Sequence, residues 1–158
     1  RPGDFPSSGP GGAGSIEVAT DYWKGLPVPN ISDFNSASGA ATDREHDVQL
    51  GLLQALCRAV ADNRDAASVS EILDQLIAYS EAHFMSEELL MRLNSHDDYA
   101  DHVDDHGHML DVLRQIAADH AAGNSPLLAA QAAEILGFVR GHIDTRDRHF
   151  ADRLRDGQ

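Results

Sequence analysis

The sequence predicts an all-α fold: an up-down-up-down four-helix bundle over residues 42–158, preceded by a flexible linker and N-terminal arm over residues 1–41. Three observations carry this reading. Helix-capping patterns recur from Thr42 onward, apolar residues there follow helical spacing, and the joints between segments are short. No segment alternates apolar and polar residues with β-branched enrichment, so strands have no candidates. A chain of 158 residues is about one domain.

Ten of the first fourteen residues are Gly, Pro or Ser, a linker composition. Ile16 to Asn35 is richer in apolar residues, and Pro27 and Pro29 keep it extended or turning, so it reads as an ordered arm. Thr42 with Glu45 forms a capping-box pattern that opens a first helix, running to about Asn63. Ser68 with Glu71 repeats the pattern and opens a second, to about Asn94. Ser95 opens a third, which stops before Gly123, a residue suited to the left-handed position after a helix. Ser125 followed by Pro126 opens a fourth, to about Leu154. Short loops make sequential helices antiparallel neighbours.

Composition excludes several classes of function. Against 12 Lys and Arg stand 26 Asp and Glu, a net charge of -14 that repels a nucleic-acid backbone. No run approaches the roughly 18 apolar residues of a membrane span. The single cysteine cannot form an internal disulfide, in keeping with a cytoplasmic setting. Arg1 in place of Met suggests a processed chain or a module of a longer protein.

The nine histidines are the unusual count. On the first helix His46 shares a face with Leu50, Leu53, Cys57 and Val60, and on the second His83 and Glu87 lie with Ile72, Leu76, Tyr79 and Leu90. On the third, His102 and His106 lie with Tyr99, Met109, Leu113 and Ile116. On the fourth, His142 follows Leu128, Ile135 and Val139, with Asp147 and Phe150 beyond. Asp147 is five residues past His142, which is not one face of an ideal helix. A side chain reaching around or a local π-bulge is required.

Depth is an independent test. At the helical rise, His46 lies about 6 Å from the expected start of its helix. His83 and Glu87 lie roughly 10–16 Å before the end of theirs, and His102 and His106 roughly 10–16 Å after the start of theirs. His142 and Asp147 lie roughly 10–18 Å before the end of the fourth. In this topology all seven groups converge at one level. Buried polar groups need partners, and five imidazoles with two carboxylates exceed the four ligands of a structural zinc site. Calcium or magnesium would want mostly oxygen donors. The donor set suits two borderline first-row ions, iron foremost. The Glu-x-x-His pattern of ferritin-like di-iron proteins is absent.

These residues resemble a known family. Tyr79-Ser-Glu-Ala-His83-Phe84-Met-Ser-Glu87-Glu88-Leu-Leu-Met91 is similar to the hemerythrin signature. His102-x-x-x-His106, His142-Ile143-x-x-x-Asp147-x-x-Phe150 and Asp43-x-x-His46 resemble its other motifs, in order, over residues 43–150. The resemblance implies two non-haem irons with a solvent-derived oxo or hydroxo bridge. It implies that His102, His106 and His142 hold one iron and His46 and His83 the other, with Glu87 and Asp147 bridging. The two-histidine iron keeps an open position for O2 within a dry shell.

The remaining motifs read as ordinary. His108 faces outward, and His96, His120 and His149 are surface groups or supports of the ligands. Cys57 reads as a small core residue and Met91 and Met109 as packing. Asp97, Asp98, Asp101, Asp104 and Asp105 read as a solvated helix face. Two kinds of function remain open. One is an O2-binding module for carriage or for sensing with an attached signalling output domain. The other is a peroxide- or nitric-oxide-reactive sensor or enzyme at the same site, for which His96 and Glu88 are the candidate acid–base groups.

Overall fold

A computed structural model describes the backbone of residues 31–156 and, within it, the side chains of residues 39–124 and 128–155. The Gly/Pro-rich leader and most of the expected arm, residues 1–30, lie outside the described residues. Every regular element among the described residues is helical: α1 Ile31–Ala61, α2 Ala66–Leu93, α3 Tyr99–Ala121, α4 Ser125–His142, a π-helical turn Ile143–Asp147, and α5 Arg148–Asp156.

Three expected helix starts are corrected. α1 is already helical at Ile31, so Thr42 and Glu45 sit inside it and open nothing. A Thr-x-x-Glu pattern fits a helix interior as well as an end, and the stretch after Pro29 holds no further proline to stop the helix. His46 is therefore about 22 Å from the first described turn, and its level is set by what it packs against. α2 is capped by Asp65, not Ser68: an Asp65 carboxylate oxygen accepts the Ser68 N–H at 2.9 Å. Ser95 ends the second helix and does not open the third, because it takes the left-handed conformation at φ 50°. α3 then begins after Asp98. Gly123 has φ 80°, as a residue just beyond a helix end requires.

Sequential helices run antiparallel. Glu45 and Gln49 of α1 meet His83 and Ser80 of α2, so the numbers fall on one helix as they rise on the other. Glu88, Glu81 and Ala66 of α2 meet His106, Arg114 and His120 of α3 in the same reversed order. Between α3 and α4, His102 meets His142 and Asp119 meets Gln131. α1 also packs on α4, closing the bundle.

The core has two apolar parts with a polar level between them. Leu53, Leu56, Leu73, Leu76, Leu113, Ile116 and Ile135 fill the larger part, almost fully buried. Each such side chain contributes about 1.5–3 kcal/mol by leaving water. Leu90, Met91, Phe150 and Leu154 form a smaller cluster at the other end. Met91 and Met109 are fully buried packing residues.

Candidate metal centre

Between these apolar clusters lie all seven groups anticipated from the sequence. His46, His83, Glu87, His102, His106, His142 and Asp147 are each buried. They fall into two sets whose ligand atoms lie within 4.8 Å of one another: His102, His106, His142 and Asp147, and His46, His83 and Glu87.

Both carboxylates touch both sets. One Asp147 oxygen is 3.0 Å from the Nε2 atoms of His102 and His142, while its other oxygen is 3.0 Å from His46 Nε2. Glu87, grouped with His46 and His83, also lies 3.4 Å from Nε2 of His102 and of His106. The π-helical turn delivers Asp147 to this position. Its wider turn is closed by the Arg148 N–H, which donates to the Ile143 carbonyl five residues back. Of the two routes open from the sequence, the bulge is the one taken.

Cations fit this arrangement better than hydrogen bonds do. Nε2 of His46 and of His106, both oxygens of Glu87 and one oxygen of Asp147 are buried without a hydrogen-bond partner among the described residues. His46 Nε2 lies 3.0 Å from an Asp147 oxygen and His106 Nε2 lies 3.4 Å from a Glu87 oxygen, yet neither contact has hydrogen-bond geometry. Nε2 of His102 and of His142 are 3.1 Å apart, so two N–H donors cannot both point into that space. Lone pairs converging on one centre are what metal ligation needs, and orphaned buried groups would otherwise be costly.

Without metal, the buried carboxylates and several of the imidazoles shift one another's pKa values. Burial alone would raise the Glu87 pKa, but the imidazoles of His102 and His106 bring it down to about 2. Burial opposes a charge on His102 too, yet Asp147 and Glu87 lift it to about 9. Asp147 is held well below the carboxylate range because His102, His142 and His46 outweigh its burial. His46 is raised, Asp147 overcoming desolvation, whereas at His83 desolvation wins and the pKa falls.

A support layer went unread in the sequence. Glu45 on α1 lies 2.9 Å from His83 Nδ1 on α2, and Glu88 on α2 lies 3.1 Å from His106 Nδ1 on α3. Asp105 on α3 is 3.4 Å from His142 Nδ1 on α4 and 3.2 Å from Arg146 Nε. Each carboxylate is the chain neighbour of an inward group and reaches a histidine on the next helix. Such partners fix the tautomer and ring orientation of a ligating histidine. The available signal was adjacency: Glu45 beside His46, Glu88 beside Glu87, Asp105 beside His106. Phe84 adds a ring stacked on His106 at 3.9 Å between centroids.

The donor set, the bridging carboxylates and the bundle agree with a comparison of the whole chain. The family model for the hemerythrin HHE cation binding domain matches residues 40–154. This chain belongs to the hemerythrin family. A bacteriohemerythrin from Ralstonia nicotianae is 31% identical over 123 residues, covering 78% of this chain and 86% of the relative. No solved structure gives a significant match. Within this hemerythrin domain, a cavity of about 190 Å³ reaches His46, Glu87 and Asp147 between α1 and α5, and none of His102, His106 and His142 lines it. No described helix is long and apolar enough to cross a membrane.

Proposed function

We propose that this chain is a non-haem di-iron O2-binding domain, a carrier or sensory module. His102, His106 and His142 hold one iron, and His46 and His83 the other. Glu87 and Asp147 would be shared by the two, and a solvent-derived oxo or hydroxo group would complete the centre. The observation that carries the reading is Asp147, whose two oxygens are divided between the His102/His142 side and His46, at 3.0 Å each. Two reduced irons held by these residues would supply the electrons for reversible O2 capture.

The surroundings support the roles of the residues. The cavity lined by His46 gives a small neutral ligand a way to the two-histidine side, and none of His102, His106 and His142 lines it. Glu45, Glu88 and Asp105 keep Nδ1 of their histidines occupied, so that Nε2 faces the centre. Leu90, Met91, Phe150 and Leu154 shield the site on one side and the larger apolar cluster on the other, which limits proton and anion entry. The peroxide- or nitric-oxide-reactive alternative needs an acid or base beside the His46/His83 set. Glu88 is instead engaged with His106, and His96 sits with Asp98 and His149.

We place the domain in the cytoplasm, on the strength of its single unpaired cysteine, and attach a signalling output domain in the sensory reading. The test is a visible spectrum of the reduced, iron-loaded protein before air, after air and after renewed deoxygenation. Colour that appears and disappears with O2 supports the proposal. One-way bleaching with peroxide turnover replaces it with the enzyme reading.

A further inference from the structure

A second cluster of metal-ligand side chains lies at the same end of the bundle and shares no residue with the centre above. His96 is in the loop between α2 and α3, Asp98 directly precedes α3, and His149 is in the first turn of α5. One ligand atom of each lies within 4.8 Å of the others. His149 Nδ1 is 3.3 Å from an Asp98 carboxylate oxygen, and the rings of His96 and His149 meet edge-on with centroids 5.7 Å apart.

The His149–Asp98 contact alone would be an exposed ion pair of small consequence. His96 changes its meaning. It is 9% exposed, and its ring is held edge-on against Phe150 with centroids 5.0 Å apart. Its backbone is fixed on both sides: the His96 N–H donates to the Met91 carbonyl at 3.0 Å, and the His96 carbonyl accepts from Tyr99 N–H at 3.3 Å. The left-handed Ser95 turns the chain immediately before it. The donors therefore come from two segments that the fold brings together, and one of them, His96, is buried. Burial, opposed by Asp98, lowers the His96 pKa, which favours the neutral imidazole that ligates.

We propose that His96, Asp98 and His149 form a separate site for one divalent ion of the zinc class, which ties α5 to the loop between α2 and α3. Two imidazoles and one carboxylate are a known three-ligand zinc set, with the fourth position left to water. Calcium and magnesium are disfavoured because nitrogen donors are in the majority. The consequence is mechanical: α5 carries Phe150 and follows directly on Asp147, so the ion steadies the segment next to the carboxylate that both histidine sets share.

The test uses the iron-loaded full chain, titrated with zinc by calorimetry, then desalted and analysed for zinc and iron. The expected result is that wild type retains one zinc more per chain than His149→Ala, with equal iron in both proteins. Wild type also shows a zinc-dependent rise in melting temperature that the variant loses. His149 is 55% exposed, so its replacement leaves the fold intact. Asp98→Asn, a change at a half-buried residue, should weaken zinc retention in the same assay. Equal zinc in wild type and His149→Ala, or uptake at millimolar zinc only, as an adventitious ion, overturns the proposal. Because the readout is a difference between two proteins, it is decided whether or not the iron reading stands.

Discussion

His142 and Asp147 are five residues apart in the chain, yet Nε2 of one lies 3.0 Å from a carboxylate oxygen of the other. In a regular α-helix a residue five positions on points about 140° away, whereas one four positions on points about 40° away. The π-helical turn Ile143–Asp147 absorbs the extra residue, so Asp147 arrives where a fourth residue would. Thr145 supports the turn by donating its hydroxyl to the Gly141 carbonyl at 2.7 Å.

Deleting Asp144, which is exposed, should turn this segment into plain α-helix and keep the Asp147 carboxylate inward. Bound iron should then stay near the wild-type level. Deleting both Asp144 and Thr145 should rotate Asp147 away by about 100° and strip iron while the helical circular dichroism is kept. Equal iron in the two deletion variants would show that the turn does not set the carboxylate.

Glu88→Ala removes the partner of His106 Nδ1 without touching a ligand atom. We expect iron affinity to fall by about 10–100-fold, with O2-dependent colour retained at saturating iron. Chelator competition measures this, and an unchanged affinity would reduce Glu88 to a surface carboxylate.

Two of the shifted groups set the windows for the pH dependence of the metal-free protein. His102 is raised from 6.5 to about 9, so its contribution to stability is complete below pH 6.5 and is lost as pH rises through 9. Glu87 is lowered from 4.5 to about 2, so its contribution is present above pH 4.5 and is lost as pH falls through 2. The metal-free melting temperature should therefore decline between pH 6.5 and 9. Iron has the opposite sign, since ligating imidazoles must be deprotonated, and the gain in melting temperature on loading should grow over that interval. Melts of both forms across this range check it, and parallel curves would contradict the charge arrangement.

Much of this was legible in the sequence, for identifiable reasons. The seven inward groups stood out because each interrupts an apolar helical stripe, and burial of a polar group demands a partner. The fourth-helix spacing required either a side chain reaching around or a local π-bulge, and the bulge is what is found. Helix starts were less legible, because Ser, Thr and Asp cap helices almost equally well and occur inside them too. The exact stripe was also misread in places. Gln49 and Ser80 are buried and hydrogen-bonded to each other at 2.9 Å, one turn from His46 and His83, where Cys57, Val60, Ile72 and Tyr79 are only partly buried. A polar pair that satisfies itself across two helices leaves no apolar signal in either. The same holds for Glu45, Glu88 and Asp105, whose role depends on a histidine of another helix.

The cap of α2 offers a control away from the metal. Asp65→Ala removes the acceptor for the Ser68 N–H and should lower the melting temperature by about 2–4 °C with iron content unchanged. Loss of iron in this variant would mean that the lower bundle and the centre are more tightly coupled than the packing implies.

The central claim is that five imidazoles and two shared carboxylates form one centre for a pair of irons. Elemental analysis of protein loaded anaerobically with ferrous iron and then desalted tests it most directly. The account predicts two irons per chain in the wild type. A single iron, or one zinc with no iron when iron was in supply, would contradict it.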